Sequence, residues 1–136
     1  MSIEKTNHSV IRIIDAYNIA KSTAGYTTSW EDVSSWTDKK VTLEATVTDG
    51  TGSVDVNLDM LVSPKGAYEL NNETTVNTED YELIQIVDNH TATAMTGFDS
   101  SDVDDLRRPF RSVAFVLDND DATDDCTVNV WIEGWS

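Results

Sequence analysis

Residues 41–63 read VTLEATVTDGTGSVDVNLDMLVS, and their alternation decides the fold class. Val41, Leu43, Ala45 and Val47 recur at every second position, and Val54, Val56, Leu58 and Met60 repeat the pattern beyond Asp49-Gly50-Thr51-Gly52. Side chains two apart share one face of a strand, so each arm carries an apolar stripe. The intervening Thr42, Glu44, Thr46 and Thr48 on one arm, and Asp55, Asn57 and Asp59 on the other, give the polar face of a half-buried antiparallel pair. The glycine-rich turn between them predicts a hairpin with both stripes laid on one core.

The same alternation runs outward in both directions. SVIRIIDAYNI, 9–19, fits the strand and helix periods imperfectly and is read as a strand. Residues 20–40 are rich in Ser, Thr, Gly and Asp around Trp30, Val33 and Trp36, which predicts an irregular connection or short strand pinned by its aromatics. Pro64 and Gly66 are spaced for a turn leading into Tyr68 and Leu70. YELIQIVD, 81–88, is a strand, and TATAMTGF, 91–98, is another beyond Asn89-His90. In DSSDVDDLRRP, 99–109, small polar residues and acids precede Leu106 and two arginines, with Pro109 as the stop, which predicts one capped helical turn. FRSVAFVLD and CTVNVWIEG then flank the acidic loop 119–125. Seven to nine short strands with at most one short helical turn define an all-β protein, an antiparallel β-sandwich or jelly roll, with a small closed barrel as the alternative. At 136 residues one domain is expected, 1–136, with residues 1–8 as an N-terminal arm.

Charge narrows the function classes. There are 25 acids against 9 bases, a formal net charge of -16, and Asp outnumbers Glu 17 to 8. Binding to phosphate backbones rests on Lys and Arg displacing counterions, so nucleic acid is excluded as the expected partner. The acids are dispersed through an alternating apolar pattern rather than gathered in a tail, so the chain folds. Few lysines, abundant Asp and 17 Thr suit a protein kept soluble in concentrated salt, where self-repulsion is screened. The N-terminal MSIEKTNHSVIRIID has Glu4 near its start and Arg12 inside its apolar run, and reads as neither a secretory signal nor a membrane span.

Chemistry-bearing constellations are sparse. Cys126 shares its phase with Val128, Val130 and Ile132, which makes it a buried small hydrophobe. His8 and His90 are read as two exposed imidazoles away from any nucleophile, and neither a phosphate-binding nor a dinucleotide fingerprint occurs. No catalytic residue and no cofactor are expected. The loop DNDDATDD, 118–125, has clustered carboxylates, but an EF-hand register from Asp118 would put Ala122 and Thr123 at ligand and glycine positions and Asn129 at the twelfth. It is read as a solvated turn, and no metal is assigned. Arg107, Arg108 and Arg111 are read as neutralising the acids from Asp99 to Asp105.

The tryptophans are more informative. Trp131 falls in phase with Thr127, Asn129 and Glu133, opposite the apolar face, and an aromatic there needs a cover, either a loop of the same chain or another subunit. Trp135 raises the same question. Trp30 and Trp36 complete the set of interface candidates and are also stacking candidates for a sugar.

Ser29-Trp30-Glu31-Asp32-Val33-Ser34, the Thr-Asp-Gly-Thr-Gly turn of the long hairpin, Ser63-Pro64-Lys65-Gly66 with Tyr68-Glu69-Leu70, and the closing hairpin from Phe110-Arg111-Ser112-Val113 together resemble small all-β virion proteins of tailed viruses, over residues 26–136. Pro64 and Lys65 depart from the commoner Ser-x-Asp-Gly turn of that group. The resemblance implies a non-enzymatic virion subunit of the capsid decoration, turret or tail accessory type, forming a homo-oligomer and docking on a capsid protein or another virion subunit. An acidic surface suits a virus of halophilic archaea. A carbohydrate-binding β-sandwich module is the alternative.

Overall fold

The computed structural model describes residues 8–34, 36–49, 54–73, 77–91 and 94–136. Nine strands occur among them: β1 (His8–Ile19), β2 (Thr23–Thr27), β3 (Glu31–Asp32), β4 (Asp38–Asp49), β5 (Val56–Ser63), β6 (Glu82–His90), β7 (Thr96–Phe98), β8 (Ser112–Asn119) and β9 (Asp125–Trp135). One helix, α1 (Ala67–Asn71), and 3-10 turns at Thr78–Asp80 and Asp104–Arg107 complete the elements. The 3-10 turn at Asp104–Arg107 falls inside the stretch read as a helical turn, whereas α1 falls where only a turn was expected.

The strands make two antiparallel sheets. The first has the order β1-β9-β4-β7, and the second has the order β2-β8-β5-β6 with β3 also on β8. Among the described strands, β5 and β6 are the one consecutive pair that hydrogen-bonds to each other; otherwise neighbours in sequence lie in opposite sheets or share β8 as partner. This is the strand order of a double-sheet jelly roll.

That order corrects the hairpin expectation. β4 pairs with β9 and β7, while β5 pairs with β8 and β6, so the two arms of residues 41–63 face each other across the core. The expected closing hairpin from Phe110 is divided in the same way, β8 in the second sheet and β9 in the first. Alternation sets which side of a strand is buried, and it is satisfied equally by a neighbour in one sheet or a partner opposite. The stripes themselves lie as read: Val41, Leu43 and Ala45 from one side, and Val56, Leu58 and Met60 from the other, are fully buried. The turn residues 50–53 lie outside the described residues. Of the expected arm, residues 1–7 also lie outside them, and His8 is the first residue of β1.

The main core fills the space between the sheets, with Phe115, Leu117, Val128, Val130 and Ile132 at its centre. A second, smaller core lies on the outer side of the second sheet, where Trp30, Leu61, Leu70 and Ala114 pack together under the loop before β3 and helix α1. Asn71 fastens this cover: its Oδ1 accepts from Trp30 N at 2.7 Å and its Nδ2 donates to Trp30 O at 3.0 Å. The outer positions of β5 are therefore buried at the Leu61 end and open at the Asn57 end.

Lys39 occupies the inward phase of β4, two residues before Val41, and is 1% exposed. Its ammonium donates to the carbonyls of Leu106 and Arg108, both at 3.2 Å, and of Trp36 at 3.5 Å, and sits 4.5 Å from the Phe110 ring centre. Burial lowers its pKa from the ordinary lysine value. One buried cation thus joins the 3-10 turn and the loop before β4, so that each of those carbonyls has a donor.

Candidate docking face

The outer side of the first sheet is built by strict alternation on β4 and β9. Lys40, Thr42 and Glu44 point outward from β4, and Asn129, Trp131, Glu133 and Trp135 from β9. Register joins them into rows: Arg12 beside Trp131 beside Thr42 beside Gly97, and Val10 beside Glu133 beside Lys40.

Trp131 stands at the middle of this face, on a strand with neighbours on both sides, and is partly exposed. The Arg12 guanidinium lies 5.2 Å from its ring centre, a contact worth about 0.5–1 kcal/mol at an exposed site. Arg12 is held there through Asn129 Oδ1, which also accepts from Ala16 N at 2.6 Å. Ala16 has φ 47° where the β1 register shifts between Ile14 and Tyr17, so Asn129 serves the backbone of a bulge. The Asn129 Nδ2 donates to Glu44 Oε1 at 2.9 Å, which fixes Glu44 on the same face. A shallow hollow of about 210 Å³ beside the indole is lined by Val10, Thr42, Met95, Trp131 and Glu133. Val10 and Met95 are 54% and 57% exposed, so the cover over Trp131 is partial and comes from Arg12 and the rim of the hollow.

Trp135 belongs to the same face. His8 stacks on it at 4.8 Å with the rings 9° from parallel, and His8 Nε2 lies 2.9 Å from Glu133 Oε2. Trp30 and Trp36 do not belong to it. Trp30 is 7% exposed in the smaller core and Trp36 8% exposed in the main core, so neither side chain is presented to a partner or a sugar. The expectation that both are interface or sugar-stacking candidates is corrected for two reasons: the smaller core on the outside of the second sheet takes up Trp30, and Gly134 leaves room in the main core for Trp36.

Other candidates fall elsewhere. His90 is buried at the end of β6 with its ring edge-on to Phe98 at 6.3 Å, not in an exposed turn as expected. Cys126 is buried, and burial pushes its thiol up to about 11. In the acidic loop, the Asp121 carboxylate accepts from Thr123 N, Asp124 N and the Thr123 hydroxyl at 2.8–3.1 Å, so it closes its own turn. Among the described residues, no group of three or more His, Cys, Asp or Glu is arranged to hold a metal ion. Arg107 and Arg108 pair with Asp104 and Asp105 as read, but Arg108 also grips Glu82 at 2.6 and 3.0 Å, and Arg111 faces Asp32. A hollow of about 340 Å³ lined by Pro64, Tyr81, Glu82, Arg108 and Phe110 has that ion pair in its wall. No described helix is long and apolar enough to cross a membrane.

The opposite outer face differs in charge. Asp59, Asp118 and Asp88 come from three adjacent strands of the second sheet, and burial, then Asp118 and Asp88, raise the Asp59 pKa. The molecule is therefore strongly anionic on one outer face and mixed on the other.

The architecture so defined is that of a jelly-roll protein with one open, mixed-charge sheet face. Neither protein-family models nor curated protein sequences match the chain. Solved structures do share its fold. Against VP2 of infectious bursal disease virus in a subviral particle, 95% of this chain superposes with a TM-score of 0.54 at 9% identity. Against the T=1 particles derived from the same virus, the values are 93%, 0.54 and 10%. The chain spans about a third of the VP2 chains, 32% and 31% respectively. A carbohydrate-binding module of endoglucanase Cel5A from Eubacterium cellulosolvens lies further away, with a TM-score of 0.44 at 7% identity.

Proposed function

We propose that this chain is a non-enzymatic structural subunit of a virion, a capsid-surface decoration or turret protein that self-associates and docks on the capsid, adapted to high salt. The observation that carries the reading is the fold, β1-β9-β4-β7 against β2-β8-β5-β6 in this chain, which along 95% of its length is similar to about a third of VP2 from a virus subviral particle. The open face around Trp131 supplies the contact: a shallow, partly apolar surface suits a flat interface with another subunit better than it suits a small ligand. The charge of -16 supports the high-salt setting, in which long-range attraction is screened and apolar anchors carry association. The alternative, a carbohydrate-binding module, loses its two stacking candidates to the interior. Quantitative mass spectrometry of purified particles tests the reading. The chain is expected in fixed stoichiometry to the major capsid protein, and its absence from particles while abundant in cells would overturn the proposal.

A further inference from the structure

We propose that the outer face of the first sheet is the contact between two copies of this chain, related by a two-fold axis that runs across the strands along the row of Arg12, Trp131 and Thr42. The inference rests on the reading of the chain as a self-associating subunit and adds the face and the register.

Charge selects the face. Two copies with a formal charge of -16 each repel, and they approach best where bases are interspersed with the acids. Around Trp131 on the first sheet the charged side chains are Arg12 and Lys40 against Glu44, Glu133 and Asp15, the last 3.1 Å from Arg12, so both signs are interspersed. The second sheet presents Asp59, Asp88 and Asp118. Strongly exposed Leu83 and Tyr68 lie on that anionic side, whereas Val10 and Met95 flank Trp131 on the mixed-charge one. Pairing through the first sheet therefore buries apolar surface without opposing two anionic faces, and leaves the acids turned to solvent.

Register then follows from β4. Lys40 and Glu44 stand two residues either side of Thr42, on the same outward side. A two-fold axis across the strands at Thr42 exchanges those two positions, so each copy's Lys40 comes over the other copy's Glu44. Both groups are already placed for it. Glu44 is held by Asn129, and the Lys40 stem lies along Gly97, where any Cβ would come within 2.4 Å of Lys40 Cε. Trp131, near the axis, meets its own symmetry mate.

A charge-reversal exchange tests this with the full chain, by sedimentation equilibrium in about 0.1 M salt, where screening reaches about 10 Å. Wild type is expected to dimerise. Lys40→Glu and Glu44→Lys each place like charges opposite one another and are expected to weaken the dimer about tenfold or more. Mixing the two variants puts opposite charges together at both contacts and is expected to restore a heterodimer near wild-type strength. Leu83→Glu, on the other side, is expected to leave the dimer unchanged. A monomeric wild type, single variants that dimerise as wild type, a mixture no tighter than its components, or loss of the dimer with Leu83→Glu would each overturn the proposal. Melting curves of every variant confirm that the proteins compared are folded. Failure here leaves the virion reading standing, since particle mass spectrometry decides that separately.

Discussion

Gly134 lies flat against the Trp36 indole: a Cβ built at Gly134 would stand 2.1 Å from Trp36 Cδ2. Gly134 takes the inward phase of β9 after Ile132, and Trp36 fills the place a side chain there would take. Gly134→Ala is therefore expected to destabilise the fold by about 1–3 kcal/mol or more, because a buried ring has nowhere to go. Gly97→Ala meets only the Lys40 stem, which swings away into solvent, and is expected to cost less. Urea melts of the two variants check the contrast.

Truncating two tryptophans separates folding from association. Trp30→Ala empties the smaller core and is expected to cost about 3–5 kcal/mol. Trp131→Ala removes a partly exposed ring and is expected to weaken self-association more than it lowers the melting temperature. Light scattering and thermal melts on both variants give the comparison, and a Trp131→Ala protein that keeps its oligomeric state but melts much earlier refutes the interface role.

Two aspartates are expected to answer pH in opposite senses. The Asp121 carboxyl sits below the ordinary value of 3.8 because the Thr123 and Asp124 amides donate to it. Its stabilisation is complete above 3.8 and is lost as pH falls through its folded value. Asp121→Asn keeps an acceptor oxygen but does not titrate, so its stability is expected to decline less steeply below about pH 4. Asp59 is raised by burial and by Asp118 and Asp88, so its ionisation costs stability as pH rises from 3.8 through its folded value. Asp59→Asn is expected to raise stability at pH 7 by a few tenths of a kcal/mol, on the order of one cross-strand pair. Melting temperature against pH for wild type and both variants reads each sign.

Salt is expected to stabilise the monomer. Screening shortens from about 10 Å at 0.1 M to about 3 Å at 1 M, so repulsion within a chain of charge -16 declines. The melting temperature is expected to climb from dilute buffer to multimolar KCl, most strongly for variants that leave the Asp59, Asp88 and Asp118 group intact. A flat curve removes the high-salt reading.

The inward and outward sides of nearly every strand were legible because alternation is a local property. Val41 and Val56 show what alternation omits: both are fully buried, yet nothing in their spacing tells a hairpin from two opposed sheets. The outward placement of Trp131 is legible from its phase alone. Lys39 was missed because a lysine two residues before an apolar stripe normally turns to water, and only the carbonyls of Leu106 and Arg108, distant in sequence, make its burial tolerable. Trp30 and Trp36 were misplaced for a related reason. Their partners, Leu70 and Ala114 for one and Gly134 for the other, come from segments far along the chain.

The two strands latest in this sequence occupy the interior of both sheets, β9 between β1 and β4, and β8 between β2 and β5. While the chain is being made, β1, β2, β4 and β5 emerge first and wait, each lacking the neighbour it will eventually hold. A nascent chain of this order carries unpaired edges until about residue 112, and the loops it must then close are long, which makes folding slow and exposes it to association with the wrong strands. The many outward carboxylates and threonines on those early strands then have a second use, as gatekeepers that keep the waiting edges apart in time as well as in solution.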